Sequence, residues 1–367
     1  MNAADIRFMD LALGLGRRGL GNVWPNPAVG CVVVRNGRVV GRGWTRPGGR
    51  PHAETVALAQ AGAAARGATA YVTLEPCAHH GRTPPCAEAL VAAGVARVVT
   101  AIEDPDPRVA GRGHALLRAA GIAVETGIGA AAARRDQAGF LSRVLHGRPM
   151  VTLKLATSLD GRIATASGES RWITGAGARR LVHGLRLAHD AVLVGGGTAR
   201  ADDPELTVRD LGAARQPVRA VASHGLDLPA GGRLAASAGQ GPLWLLHGAE
   251  GDAVAPDRAE AWRRSGAHLL PVASRGGRLE PSALLSSLAD RGITRVFCEG
   301  GGSLAAALLR AGLVDRLAVF TAGVALGAEG RPSLGPLGID RLSAAQRFSL
   351  VEVREVEGDI LHLWSCG

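Results

Sequence analysis

The chain has 367 residues, of which 47% are hydrophobic and 20% charged, a composition and length that suit a globular protein of two domains. No apolar run approaches the ~18 residues needed to cross a bilayer, and Asp5 and Asp10 at the start argue against a signal peptide. Five scattered cysteines are too few for a disulfide framework, so we expect a reducing cytoplasm.

The formal net charge of +10 favours an anionic small-molecule substrate over a nucleic acid. Lys154 is the single lysine and every other basic position is arginine, a bias that indicates genome composition rather than a binding surface. The arginines are dispersed and aromatic residues are 3% of the chain, too few to stack the bases of a single strand. Arginine forks match phosphate oxygens, which favours a phosphorylated small molecule.

The first part of the chain alternates predicted helices and strands, which indicates an α/β layered domain. Hydrophobic spacing predicts a helix over 4–18 with Ile6, Met9 and Leu13 on one face. A hairpin is predicted around Asn36-Gly37. The further predicted elements are a helix over 52–65, a strand over 70–74, a helix over 86–93 and a strand over 97–101.

Three short segments of this domain carry the pattern of a metal site. His52, Cys77 and Cys86 offer one imidazole and two thiolates, which are three ligands for Zn²⁺ with a fourth position left for water. Glu54 completes the H-x-E…P-C…C order of zinc deaminases, in which the glutamate moves protons and does not bind the metal. The pattern predicts hydrolytic removal of an amino group from a heterocyclic ring.

The chemistry explains these residue types. Zinc lowers the pKa of its bound water from about 15.7 to about 7, and Glu54 would carry the water proton to a ring nitrogen. We expect both cysteines at helix starts, where the thiol pKa is lowered. The segment 78–85 between them is longer than in C-x-x-C, and we expect it to help wall the pocket. The alternative is a chance grouping of His, Glu and buried cysteines.

Residues 146–149, His-Gly-Arg-Pro, predict a boundary between domains over 1–146 and 150–367. The second domain opens with a β run over 150–155 and is read as another α/β layer.

Two strands of this domain, predicted over 191–194 and 295–298, run into the glycine turns 195–197 and 300–302, the second followed by a helix over 304–310. Such turns are typical of pyrophosphate cradles, although ordinary tight turns in a chain with 52 glycines are the alternative. Neither turn is the G-x-G-x-x-G of a Rossmann unit.

Longer motifs run through both halves of the chain: PNPAVGC (25–31), PHAE (51–54), TLEPCAHHGRTPPC (73–86), KLATSLDG (154–161), SGESRWI (167–173) and TARADDPELTVR (198–209). They resemble the motifs of the bifunctional deaminase/reductase family of riboflavin biosynthesis. The resemblance covers nearly the whole chain and is weakest over 210–290.

The resemblance implies a cytidine-deaminase-like three-layer domain followed by a dihydrofolate-reductase-like domain. The first, over 1–146, would be a zinc-dependent deaminase that removes the ring amine of a diaminopyrimidinone carrying a ribosylamino 5′-phosphate. The second, over 150–367, would use NADPH to reduce the ribosyl group of the resulting aminouracil to a ribityl chain, with hydride delivered to the sugar C1′. A homo-oligomer, dimer or tetramer, formed through the second domain is also implied.

The resemblance also implies a role for each matched residue. In the first half, it implies that His52, Cys77 and Cys86 bind zinc and that Glu54 is the proton donor. It also implies that Asn26 hydrogen-bonds the edge of the pyrimidine. The NADPH contacts it implies are Ala156, Trp172, Thr198, Asp202, Gly301, Gly302 and Ser303. The substrate contacts it implies are Ser170, Arg186, Leu206, Arg209 and Glu299.

Among these residues, Arg186 and Arg209 would form a phosphate clamp, because guanidinium forks match phosphate oxygens. Read without the resemblance, the two arginines are typical of a surface and Trp172 of a core.

Lys154 stands at the end of the first strand of the second domain in a chain that otherwise uses arginine. A compact ammonium on a flexible stem differs from a planar fork, so we hypothesise that Lys154 contacts the ribose or helps to protonate near the reducible carbon. Survival of one lysine codon by chance is the alternative.

The chain departs from the family pattern at Ser223, where the family often has Asp near the expected cofactor edge, and in the three glycines 195–197. The preference for NADPH over NADH follows from the resemblance alone.

Three other interpretations stay open. One is a nucleic-acid base deaminase with an appended nucleotide-binding domain. Another is a zinc-stabilised scaffold without activity, although structural zinc sites normally have four protein ligands. The third is a chain with one active half, in which the reductase would be the altered one because of Ser223.

Overall fold

The chain divides at Gly147 into two units, Met1–Gly147 and Arg148–Gly367, each built on its own sheet. The computed structural model describes residues 2–80, 84–213 and 215–366. Residues 81–83 of the predicted pocket wall therefore lie outside the described residues. Among the helices that are described, none combines the length and apolarity of a membrane span.

In the first unit, helices alternate with the strands of one sheet. Its elements are α1 Ala3–Gly16, β1 Gly30–Arg35, β2 Arg38–Trp44, α2 Ala53–Ala61, β3 Thr69–Val72, α3 Cys86–Ala92, β4 Arg97–Thr100, α4 Arg112–Ala119, β5 Ala123–Thr126, α5 Ala130–Asp136 and α6 Ala138–His146. The strand order is β2-β1-β3-β4-β5, antiparallel on both sides of β1 and parallel from β3 to β5. β1 is buried at five of its six residues, which indicates that helices cover both faces of the sheet. The unit therefore has three layers, helix, sheet and helix.

The predicted hairpin and first helix are present. Asn36 and Gly37 have φ of 50° and 72°, the positive values that a two-residue hairpin turn requires. Of the three apolar residues predicted to share one face of α1, Met9 and Leu13 are buried, whereas Ile6 is 44% exposed. Asp5 takes the inward position of that turn, because its carboxylate accepts a hydrogen bond of 2.6 Å from the buried Tyr71 hydroxyl.

Helix α2 lies unusually close to strand β2, and glycine makes this approach possible. A Cβ at Gly41 would lie 2.1 Å from the Ala57 carbonyl oxygen, and one at Gly43 would lie 2.1 Å from that of Ala53. The start of α2, which carries two of the predicted site residues, is therefore placed by direct backbone contact with the sheet.

The second unit alternates strands and helices around a larger sheet. Its strands are β6 Met150–Ser158, β7 Arg162–Ala164, β8 Ala191–Gly195, β9 Val218–Ala222, β10 Leu243–Gly248, β11 His268–Val272, β12 Ser274–Arg275, β13 Arg278–Leu279, β14 Arg295–Cys298, β15 Arg316–Ala322, β16 Arg331–Pro332, β17 Phe348–Val356 and β18 Asp359–Cys366. Its helices are α7 Ala176–Leu187, α8 Gly196–Asp202, α9 Arg233–Ala236, α10 Pro256–Arg264, α11 Pro281–Asp290 and α12 Gly302–Arg310. Nine of the strands form one sheet in the order β11-β10-β9-β8-β14-β6-β15-β18-β17, parallel from β11 to β15 and antiparallel beyond.

Both predicted glycine turns follow their strands; the second leads into α12 as predicted, and the first also begins a helix, α8. The two strands are parallel neighbours, so their carboxyl ends meet at one edge of the sheet, where open α/β sheets bind ligands. A Cβ at Gly300 would lie 2.8 Å from the Gly195 backbone nitrogen, so the two turns pack directly against each other.

We expect Gly43→Ala to lower the melting temperature, because the new Cβ would push Ala53 and the start of α2 away from the sheet. Overpacking of this kind costs about 1–3 kcal/mol. Gly14→Ala is the matched control, since nothing lies within 4 Å of a Cβ there and the position is inside α1. Thermal unfolding followed by circular dichroism compares them; equal melting temperatures would contradict the role given to the α2–β2 contact.

Candidate functional site

The three predicted metal ligands converge, although they come from three different elements. His52 is the residue before α2, Cys77 lies in the loop after β3, and Cys86 is the first residue of α3. The His52 Nδ1 atom is 3.3 Å from the Cys86 sulfur and 3.7 Å from the Cys77 sulfur. Their ligand atoms all lie within 4.8 Å of one another, and no fourth His, Cys, Asp or Glu among the described residues joins this group. One imidazole and two soft thiolates are a donor set that fits zinc and leaves a position open.

The prediction that both cysteines begin helices is right for Cys86 and wrong for Cys77. Cys77 lies in the loop after β3, but its sulfur accepts a hydrogen bond of 3.3 Å from the Cys86 backbone N–H at the start of α3. The start of α3 therefore carries one of the two sulfurs and donates a hydrogen bond to the other.

The two thiols and the imidazole shift one another's pKa values. The side-chain hydrogen bond between the cysteines lowers the pKa of Cys77 and raises that of Cys86. The hydrogen bond with Cys77 also raises the pKa of His52. The lowering expected for both thiols is therefore found only for Cys77, the one that more readily becomes a thiolate.

Glu54 lies in the first turn of α2 and is buried beside these ligands. Burial raises the pKa of its carboxyl to about 7, and the Cys77 thiolate adds to this effect while His52 opposes it. Cys31, a fully buried thiol whose pKa burial raises, also interacts with this carboxyl. A carboxyl that changes protonation near neutral pH is suited to both accepting and donating a proton.

Asn26, the residue expected at the pyrimidine edge, is held by the backbone. Its Nδ2 donates to the Gly49 carbonyl oxygen at 2.8 Å, and a Cβ at Gly49 would lie 2.1 Å from that nitrogen. The orientation of the amide is therefore fixed, and the contact with substrate stays a prediction.

In the second unit, three predicted substrate residues come together at the carboxyl edge of the sheet. Arg186 donates to both oxygens of Glu299, from Nε at 2.5 Å and from Nη2 at 3.0 Å, and both side chains are largely buried. Lys154 interacts with both of these charges and with Asp202, and burial lowers its pKa. The lysine therefore lies among the expected substrate and cofactor residues.

The two arginines of the predicted phosphate clamp, Arg186 and Arg209, differ in how free they are to bind a phosphate. Arg186 is ion-paired with Glu299 and also donates to the Thr207 carbonyl oxygen at 2.8 Å, so much of its charge is already balanced. Arg209 is more exposed and pairs with Glu205 at 3.2 Å. The clamp stays a prediction, and Arg209 is the more accessible partner for a phosphate.

The segment that carries Leu206 is locally strained. Asp203, Leu206 and Asp210 have φ of 41°, 60° and 61°, which non-glycine residues rarely adopt. The Leu206 side chain is 2% exposed and packs in the core, so any contact that it makes with substrate comes from its backbone.

The expected cofactor residues at the two glycine turns are linked. Thr198 in α8 accepts a hydrogen bond of 2.7 Å from the Gly301 backbone N–H. The backbone N–H groups of Gly302 and Ser303 begin α12, and none of the described residues accepts a hydrogen bond from them. Open amides at a helix start fit the pyrophosphate of a dinucleotide.

The other expected cofactor contacts flank this edge. Trp172 is 69% exposed, which excludes the core interpretation, and its ring lies 4.6 Å from the Arg179 guanidinium. Arg171 donates to the Asp202 carbonyl oxygen at 2.7 Å, which joins the segment holding Ser170 to the end of α8. Ala156 lies along β6, partly exposed.

Sequence reasoning missed His183, which accepts the Arg209 backbone N–H at its Nδ1 atom at 3.2 Å. Its pKa is lowered by burial and by Arg186 and Arg209. His183 and Arg186 are three residues apart in α7, so helical spacing would have placed them on one face.

Comparisons with known proteins match both halves of the chain. The cytidine and deoxycytidylate deaminase zinc-binding region matches residues 2–102, and the RibD C-terminal domain matches residues 149–362. Riboflavin biosynthesis protein RibD of Escherichia coli is 43% identical, covering 98% of this chain and 99% of that protein. The Aquifex aeolicus protein of the same name is 39% identical over 97% of each chain.

Solved structures agree over the full length. Acinetobacter baumannii RibD, form 1, has a TM-score of 0.89 at 39% identity, covering 99% of both chains. A Thermotoga maritima diaminohydroxyphosphoribosylaminopyrimidine deaminase/5-amino-6-(5-phosphoribosylamino)uracil reductase has a TM-score of 0.86 at 32% identity, again covering 99% of both.

Proposed function

This chain belongs to the RibD family of bifunctional deaminase/reductases of riboflavin biosynthesis, and from this premise we propose its substrates and the role of each site residue. Its fold is a cytidine-deaminase-like domain followed by a dihydrofolate-reductase-like domain, as expected. It is a zinc-dependent deaminase and an NADPH-dependent reductase.

The proposed substrates are those named for the Thermotoga maritima protein. The first unit would deaminate 2,5-diamino-6-(5-phosphoribosylamino)pyrimidin-4(3H)-one, and the second would reduce the ribosyl group of the resulting aminouracil to ribityl phosphate. The boundary at residues 146–149 and the assignment of one reaction to each side are part of this proposal. The observation that carries it is the convergence of His52, Cys77, Cys86 and the buried Glu54.

In the deaminase unit, His52, Cys77 and Cys86 would hold the zinc. Bound zinc supplies a water of lowered pKa for addition to the ring carbon that carries the amine. Glu54 would accept the water proton and donate it at a ring nitrogen, because burial raises its pKa to about 7, close to neutral pH. Asn26 would orient the pyrimidine edge from its position against Gly49.

In the reductase unit, the α12 start and the Thr198–Gly301 pair would hold the pyrophosphate of NADPH, with Ala156, Trp172 and Asp202 along it. Bound NADPH supplies the hydride for the sugar C1′. The substrate would contact Ser170, Arg186, Leu206, Arg209 and Glu299.

We propose that Lys154 holds a proton near the sugar C1′. Its lowered pKa makes the proton easier to release, and Glu299 and Asp202 stabilise the ammonium form.

The competing interpretations have less support. The three-ligand group and the buried Glu54 disfavour a structural zinc scaffold. Dispersed arginines and few aromatics disfavour a nucleic-acid substrate. Unpaired cysteines, two of them proposed as zinc ligands, support our proposal of a cytoplasmic location.

A homo-oligomer is part of the proposal and is supported by β17. This strand is the edge of the nine-stranded sheet, and Leu350, Val351 and Val353 are each more than half exposed. An edge strand with exposed apolar side chains is a template for pairing with another chain, so we propose that a second copy covers it.

Glu54→Gln is expected to lower ammonia release from the diaminopyrimidinone substrate by about 10²–10⁴-fold, because the amide cannot transfer the proton. Reduction of the aminouracil, supplied directly with NADPH, should stay at the wild-type rate. Ammonia release from the diaminopyrimidinone and NADPH oxidation with the aminouracil are followed in parallel reactions, with the exposed Asp10→Asn as control. Full ammonia release by Glu54→Gln would refute the catalytic role of Glu54.

Lys154→Arg is expected to lower kcat for the reduction by about 10²-fold, since a larger, always charged fork misplaces the proton. Lys154→Met keeps the stem and removes the charge, so both variants should be impaired if the ammonium acts. Ammonia release serves as the internal control in each. A normal reduction rate in Lys154→Arg would remove the hypothesis.

The double variant Val351→Asp, Val353→Asp is expected to shift the protein to monomer in sedimentation velocity, because two charges would be buried at the proposed contact. Leu342→Asp is the control, since Leu342 is exposed in a short helical turn outside the strand. An unchanged oligomer in the double variant would exclude β17 as the contact.

A further inference from the structure

Glu75, the residue before Pro76-Cys77, has a carboxylate that the proposed chemistry does not use. Its side chain has no exposed surface. The Oε1 atom accepts hydrogen bonds from the backbone N–H groups of Gly113 at 2.9 Å and His114 at 3.1 Å, both in the first turn of α4. The carboxylate therefore caps a helix that is distant in sequence but adjacent to the Cys77 segment.

The second oxygen binds the loop that leads into α4. Oε2 accepts from the backbone N–H groups of Asp104 at 3.2 Å and Gly111 at 3.0 Å. The Glu75 backbone N–H also donates to the Ile102 carbonyl oxygen at 3.0 Å. Five hydrogen bonds thus fix this residue against the segment from 102 to 114.

The backbone of the next residue is held by direct contact. A Cβ at Gly113 would lie 2.0 Å from the Pro76 carbonyl oxygen, so α4 packs against the peptide that joins Pro76 to Cys77. The chain has little freedom at the step where the cysteine begins.

From these contacts we propose that Glu75 is a positioning residue of the metal centre. By anchoring the chain immediately before Pro76-Cys77 to the start of α4, it holds the Cys77 sulfur within reach of His52 and Cys86. This inference rests on the proposed role of these three residues as zinc ligands.

A second metal site does not explain the same contacts. Glu75 lies close to Glu103 and His114 in an acidic group. Each of its oxygens, however, already accepts two backbone N–H groups, and His114 pairs with the Thr100 hydroxyl through Nε2 at 2.9 Å. The carboxylate is used for anchoring.

Glu75→Gln tests the proposal, because the amide has the same shape as the carboxylate but replaces one oxygen by an NH₂ group. That NH₂ group would face two backbone N–H donors and could accept a hydrogen bond from neither. Glu103→Gln is the matched control, as it makes the same charge change on an exposed member of the group. In the full chain, the zinc dissociation constant is measured by competition with a chromogenic chelator. The thiolate-to-metal charge-transfer band is recorded after Co²⁺ substitution.

We expect Glu75→Gln to bind Zn²⁺ roughly tenfold more weakly and to show a changed Co²⁺ band, while Glu103→Gln matches the wild type. Reduction of the aminouracil by NADPH in the same preparation reports that the second unit is intact. If Glu75→Gln does not fold, Glu75→Asp, which keeps the charge but has a shorter reach, is measured in its place.

Wild-type zinc affinity and an unchanged Co²⁺ band in the folded variant would overturn the inference and leave Glu75 as a support of the fold only. Failure of the underlying proposal looks different. In that case Cys77→Ser would bind Zn²⁺ as tightly as the wild type, or the wild type would bind none.

Discussion

The close packing of α2 on β2 is the contact on which the first active site depends. Gly41 and Gly43 leave room for the carbonyl oxygens of the helix to touch the strand. This fixes where α2 begins, and with it the imidazole before the helix and the carboxyl in its first turn. Burial of Glu54, which raises its pKa, follows from the same approach. The packing of α2 on β2 and the raised pKa of Glu54 are therefore linked.

The second unit uses a different principle, the shared edge of parallel strands. β6, β8 and β14 are neighbours, so Lys154, the two glycine turns and Glu299 meet although they are far apart in sequence. The strained segment with Leu206 and the helix carrying Arg186 complete this edge. Charge is balanced within the group itself by the Arg186–Glu299 pair.

Much of this was predictable from sequence, because local patterns determine local structure. Asn36-Gly37 predicted the hairpin, and the glycine turn after the strand at 295–298 predicted the helix that follows it. The sequence did not predict the exposure of Ile6, or the hydrogen bond that the buried Asp5 accepts from Tyr71 across the unit. Nor did it predict that Cys77 would reach the start of α3 through space, or that Glu75 would cap α4. Such contacts depend on tertiary packing, which spacing along the chain does not encode.

Zinc binds thiolates and neutral imidazole, so the ligands of the deaminase centre link metal binding to proton release. The hydrogen bond with Cys77 and burial raise the pKa of Cys86, so this thiol must lose its proton when zinc binds, and His52 must be neutral. For each proton released, the apparent zinc affinity falls about tenfold for each unit by which the pH is lowered. The three residues that would hold the metal therefore also make its occupancy, and with it the first reaction, sensitive to acid.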